Sequence, residues 1–101
     1  MTTYLAELYL PKAGESDVRD AARRARFAAD EMTREGTPIR YLRALFVGDD
    51  ETCFHLYETS SPQLVEEASR RAAIPVERVA EAVDIDLEAL DSAESHGRSE
   101  R

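Results

Sequence analysis

A chain of 101 residues, 43% hydrophobic and 34% charged, is sized for one domain with a single core. Its net charge of −8 speaks against nucleic acid as a partner, since phosphate-backbone binding needs a basic surface that displaces counterions. No apolar run approaches the roughly 18 residues that would suggest a membrane span, MTTYLAELYL lacks the pattern of a signal peptide, and the single cysteine, Cys53, allows neither an intrachain disulfide nor a cysteine metal cluster, so a cytoplasmic protein is expected.

Thr3–Leu10 reads as a first strand. Tyr4, Ala6, Leu8 and Leu10 form its apolar, core-facing set, with Leu5, Glu7 and Tyr9 on the other side. Pro11 stops it. Ser16 is a candidate N-cap for a helix to Glu35, with Val18, Ala21, Ala22, Ala25, Ala29 and Met32 at helical spacing and Phe27 off the stripe. Gly36 and Pro38 form a helix stop. Ile39–Val47 and Thr52–Thr59 then alternate about Gly48-Asp49-Asp50, the signal of a β-hairpin. Ser61 and Pro62 open a second helix with Leu64, Val65, Ala68 and Ala72 as its buried stripe, and Ile74-Pro75 ends it. Glu66–Arg70 and Glu67–Arg71 are i,i+4 pairs on its solvent side. Val79–Ile85 reads as a last strand of ambiguous facing. The segment 86–101 is an acidic, polar tail whose composition predicts disorder, and His96 within it reads as solvated.

Strand, helix, strand, strand, helix, strand is the split βαβ pattern of the ferredoxin-like α+β fold, here over residues 1–85. It predicts an antiparallel sheet in the order 4-1-3-2 with both helices on one face. The other face is then covered by nothing in this chain. Exposed apolar surface of that kind marks an interface or a ligand site, so a homodimer meeting through its sheets, or a dimeric α/β barrel, is expected.

The strand 52–59 carries a chemically mixed set, Cys53, His55 and Tyr57, opposite Phe54, Leu56 and Glu58. With the four strands side by side, the open face is expected to carry Glu7 and Tyr9 from the first strand and His55 and Tyr57 from the third. Tyr41 and Arg43 join them if Leu42, Ala44 and Phe46 face the helices. Strands one and three are neighbours, so Glu7 and His55 are expected within reach of each other, as a tautomer-fixing pair, a metal ligand pair or a proton relay. A satisfied polar contact inside a dimer interface is the plainer reading of the same pair. One histidine does not close a metal site, so a divalent ion would require His55 and Glu7 from two copies. The run Arg19, Arg23, Arg24, Arg26 is interleaved with Asp17, Asp20, Asp30 and Glu31 and reads as a solvated helix face. Cys53 reads as an inert small residue. No phosphate loop, nucleophile elbow, HExxH or CxxC occurs.

Leu10-Pro11 at a strand exit, Tyr57-Glu58-Thr59-Ser60-Ser61-Pro62 after the hairpin, and Ser69-Arg70-Arg71-Ala72-Ala73-Ile74-Pro75 at a helix end resemble motifs of a small bacterial ferredoxin-like family of unknown function. The resemblance spans roughly residues 3–85, and the family includes a nickel-binding member. It implies a ferredoxin-like dimer and permits nickel binding. The leading expectation is a homodimeric binding protein holding a small ligand or a divalent metal on its open sheet face. The alternative is a cofactor-independent oxygenase or isomerase in which His55 is the base and Arg43 holds an anionic substrate, an expectation from fold analogy.

Overall fold

A computed structural model describes residues 1–83, Ile85 and Leu87; the expected acidic tail, with His96, otherwise lies outside these residues. The chain runs β1 (Thr2–Tyr9), α1 (Glu15–Arg34), β2 (Ile39–Val47), β3 (Thr52–Thr59), α2 (Pro62–Arg71) and β4 (Arg78–Ala82). The four strands form one antiparallel sheet in the order β2-β3-β1-β4, the expected ferredoxin-like arrangement. The two hairpin strands have the expected bounds, whereas the last strand is shorter than 79–85, leaving Val83 and Ile85 exposed. No helix among the described residues is long and apolar enough to cross a membrane.

Alanine governs the packing. On α1, Ala25, Ala28 and Ala29 are buried between Val18 and Met32, and on α2 Ala68 lies beside Val65. Small side chains bring the helices close to the sheet, which fills the layer with large ones: Tyr4, Leu8, Ile39 and Tyr57. Phe27, off this stripe, is 63% exposed.

The helix ends follow from local chemistry. The N-cap of α1 is Gly14 rather than Ser16: the Asp17 carboxylate reaches back to accept the Gly14 N–H at 2.8 Å. At its other end Thr37 N–H donates to Met32 O (2.9 Å) and Gly36 N–H to Thr33 O (3.0 Å), a Schellman closure with Gly36 at φ 104°. The end of α2 repeats it, with Ile74 N–H to Ser69 O (2.9 Å) and Ala73 N–H to Arg70 O (3.1 Å), but the left-handed position is an alanine at φ 58°. Ala73→Gly is therefore expected to stabilise the protein by about 0.5–1 kcal/mol, and Gly36→Ala to destabilise it by a similar amount, measured as urea midpoints. A Cβ at Gly36 meets nothing within 4 Å, so its cost is backbone strain alone. The two substitutions moving stability in the same direction would refute this account. Between the helices, Arg71 binds Glu67, Glu31 and Glu35, a partly exposed clasp that holds α2 to the last turns of α1. Of the expected pairs on α2, Glu67–Arg71 forms at 2.9 Å; Arg70 instead turns to Glu67.

Candidate functional site

Strand β3 presents Cys53, His55, Tyr57 and Thr59 to the helices, none more than 1% exposed. This reverses the expected facing. The β1–β3 register places Ala6 opposite His55 and Tyr4 opposite Tyr57, so His55 shares the inward face of β1's apolar set. Glu7 lies opposite Phe54 on the other face, where its carboxylate accepts a hydrogen bond from Arg78 Nε at 3.0 Å. The expected Glu7–His55 pair is thus split by the sheet itself.

The remaining candidates divide the same way. Tyr9 is 54% exposed at the end of β1, and its hydroxyl donates to Glu51 at 2.9 Å, which raises its pKa; that of Glu51 is lowered first by the Lys12 backbone amide and then by this hydroxyl. Arg43 stands opposite Leu56 on the open face, as expected. Tyr41 does not, because the β2–β3 register slips between Tyr41 and Arg43. Leu42 is the extra residue of a β-bulge, and the slip turns Tyr41 toward the helices along with Ala44 and Phe46. Nothing local in Tyr41-Leu42-Arg43 announces that bulge.

Under α1 these residues form a hydrogen-bonded row. Tyr41 Oη lies 2.8 Å from His55 Nδ1, and His55 Nε2 lies 3.6 Å from Cys53 Sγ. The Tyr41 ring stands edge-on to that of Tyr57 at 5.2 Å. Burial sets the charge state of every member. It pushes the His55 pKa down to about 4, with the nearby Arg24 cation acting in the same direction. It raises the Tyr41 hydroxyl far above its ordinary value, Tyr57 up to about 12, and the Cys53 thiol as well. The row is neutral at physiological pH. Either neutral tautomer satisfies the row: Tyr41 donates to Nδ1 with the Nε2 proton toward the Cys53 sulfur, or Nδ1–H donates to Tyr41 Oη and Nε2 accepts from the thiol. Two further buried hydroxyls, Tyr57 Oη and Ser69 Oγ, have no hydrogen-bond partner among the described residues, although Ser69 is near enough to lower the Tyr57 pKa against burial. Ser69, in the last turn of α2, carries no sequence signal for that position.

Two concavities flank α1 above this row. A cavity of about 200 Å³ opens beside His55, walled by Leu8, Ala21, Arg24 and Ile74 with Asp17 and Asp20 at its mouth. Arg24 closes it on one side, donating from Nε to Ala72 O at 2.9 Å and pairing with Asp20. A groove of about 600 Å³ runs along the bulge of β2, with Tyr41 and Leu42 in its wall. The opposite face of the sheet has no covering element among the described residues. It carries Leu5, Phe54 and a Leu56 only 8% exposed on the two central strands and Leu45 (49% exposed) and Val47 (40% exposed) on the outer strand, with charge among them in Arg43 opposite Leu56, in Glu7 opposite Phe54 and paired with Arg78, and in Arg40–Glu58.

No family model matches this chain, and no curated protein matches it. Among solved structures it is similar to that of SCO4226 from Streptomyces coelicolor A3(2), at a TM-score of 0.66 and 13% sequence identity over 83% of this chain and 99% of that one. The likeness is one of fold.

The nickel that the sequence resemblance permits does not fit the residues as placed. His55 and Glu7 lie on opposite faces of the sheet, and among the described residues no three His, Cys, Asp or Glu side chains converge on a point that would hold a metal ion. A second copy does not repair this, because His55 is 1% exposed beneath α1 and cannot reach across a sheet-face contact.

Proposed function

We propose that this protein is a cytoplasmic homodimeric binding protein whose uncovered sheet face is closed by a second copy of the chain and whose ligand is a small organic molecule. One observation carries the dimer: a sheet face with no covering element among the described residues that presents Leu5, Leu45, Val47 and Phe54 around a Leu56 only 8% exposed. Strand rise and spacing give that face a footprint of roughly 500 Å² before side-chain relief is counted. With that relief it is of the order of the ~800 Å² per partner that specific interfaces bury. Its charges, Arg43 opposite Leu56 and the Glu7–Arg78 and Arg40–Glu58 pairs, interrupt this apolar surface without covering it. With His55 and Tyr57 turned inward, Glu7 held by Arg78 and Tyr9 held by Glu51, the face offers a second copy far more than it offers a metal or a polar ligand. The reduced, buried thiol of Cys53 suits a reducing compartment.

The enzymatic alternative is less well supported. It requires His55 as base and Arg43 as substrate clamp in one cavity, and the sheet separates them. An imidazole with a pKa of about 4 is also a weak base.

Native mass spectrometry tests the reading. The untagged protein is expected as a dimer, and Leu45→Glu, which puts a charge on a 49% exposed position of the face, as a folded monomer. A monomeric wild type overturns it. The same spectra with added nickel are expected to show no stoichiometric adduct that depends on His55.

A further inference from the structure

We propose that the groove between α1 and the bulge of β2 binds a small organic anion with a flat apolar body, an aryl carboxylate in chemical class. The inference rests on the reading of the protein as a small-molecule binder and adds to it the place and the charge of the ligand.

The groove is lined by Ala22, Arg23, Arg26, Phe27, Tyr41 and Leu42, with Asp30 at one end. Positions 23, 26, 27 and 30 follow i, i+3, i+4, i+7 spacing, so a single face of α1 supplies two guanidinium groups, an aromatic ring and a carboxylate. The sheet side is built by the bulge. In a regular strand Tyr41 and Leu42 would point to opposite faces, yet both line the groove, because the register slip between Tyr41 and Arg43 breaks the alternation. Bulges re-aim side chains in this way beside binding sites.

Two features give the groove a ligand chemistry. Phe27 is 63% exposed here, while the other large apolar residues of the same helix, Val18 and Met32, are buried, so Phe27 gains from a flat partner that removes it from water. Arg23 and Arg26 form no ion pair among the described residues of a chain whose net charge is −8, whereas Arg19 and Arg24 beside them pair with Glu15 and Asp20. Unpaired guanidinium forks over an apolar floor match a carboxylate joined to a ring. Asp30, about 10 Å along the helix from Arg23, favours a donor such as a phenolic hydroxyl at the far end of the ligand.

The groove lies on the helical side of the sheet, so its occupancy does not depend on the sheet-face dimer. Isotope-labelled full-length protein is titrated with benzoate and 4-hydroxybenzoate, and with benzyl alcohol and benzylamine as neutral and cationic counterparts, while amide shifts are recorded. Benzoate is expected to bind with a Kd of about 1 mM or tighter, shifting amides of 22–30 and 41–43. The 4-hydroxy form should bind more tightly and the cation not at all. The exposed double substitution Arg23→Ala/Arg26→Ala is expected to weaken binding about tenfold or more, and Phe27→Ala to weaken it with the fold intact. Leu45→Glu should bind as wild type does. Benzoate binding no better than benzyl alcohol, or binding that survives loss of both arginines, overturns the groove assignment. The mass of the wild type judges the dimer separately.

Discussion

Lowering the pH from 6.5 to 4 is expected to remove about 3 kcal/mol of folding stability, and His55→Gln to abolish most of that dependence. In the unfolded chain His55 titrates at its ordinary value of 6.5; in the folded protein burial lowers it to about 4. Between those values the unfolded chain binds a proton that the native state refuses, so stability rises with pH. The contribution is whole above 6.5, is lost as pH falls through the window, and falls no further below about 4. A gap of about 2.5 pH units corresponds to roughly 3 kcal/mol. Glu35, Glu51 and Glu67, held down chiefly by hydrogen bonds from Arg71 and from the Lys12 amide, also lose stability on acidification, but below their ordinary value of 4.5. The two processes separate along the pH axis. Urea midpoints at fixed protein concentration and pH 7.5, 5.5 and 4 measure the slope. At pH 7.5 His55→Ala is expected to cost about 2–4 kcal/mol, because it leaves a void and strands the Tyr41 hydroxyl. A His55→Gln protein with the wild-type slope between 6.5 and 4.5 would contradict the burial that the fold assigns to His55.

The difference between what could and could not be read from the chain lies in the range of the interactions. Gly36 and Pro38, the Gly48–Asp50 turn and Ser61-Pro62 act on the backbone beside them, and the element order, both hairpin strands and the stop of α1 followed from them. The inward face of β1 followed as well, since Tyr4, Ala6 and Leu8 are uniformly apolar. The facing of β3 did not. Phe54 and Leu56 are more apolar than Cys53 and His55, and a local rule turns them inward; the register with β1 decides otherwise, and register is a property of residues some fifty positions apart. Two compensations make the outcome stable. The alanine faces of α1 and α2 leave room that Tyr57 and His55 fill, and the imidazole is satisfied by Tyr41 and Cys53 within the same layer. The bulge at Leu42 adds a second reversal, which is why Arg43 is on the open face as expected and Tyr41 is not. For the same reason the candidate pair Glu7–His55 failed. Knowing that two strands are neighbours says which residues are near in projection, but not which side of the sheet each one occupies.

The alanine stripe carries the second large effect: Ala25→Leu is expected to destabilise the protein by about 2–3 kcal/mol. Ala25 is 0% exposed on the face of α1 that covers the sheet, so three added carbons have no volume to enter. Either the helix lifts, or the aromatic layer below it leaves its preferred rotamers. Ala22→Leu is the control. It stands on the same helix at the half-buried edge of the groove, where a longer side chain can turn toward solvent, and should change stability by less than about 0.5 kcal/mol. Leucine is nearly as good a helix former as alanine, so helix propensity cancels from the comparison and packing remains. The measurement is again the urea midpoint, joined here by the pKa of His55 followed by NMR. A lifted helix admits water to the Tyr41–His55 row, and the imidazole pKa should climb from about 4 toward 6.5 in Ala25→Leu while staying low in Ala22→Leu. If Ala25→Leu is tolerated with the His55 pKa unchanged, close helix–sheet approach is not what keeps that histidine neutral.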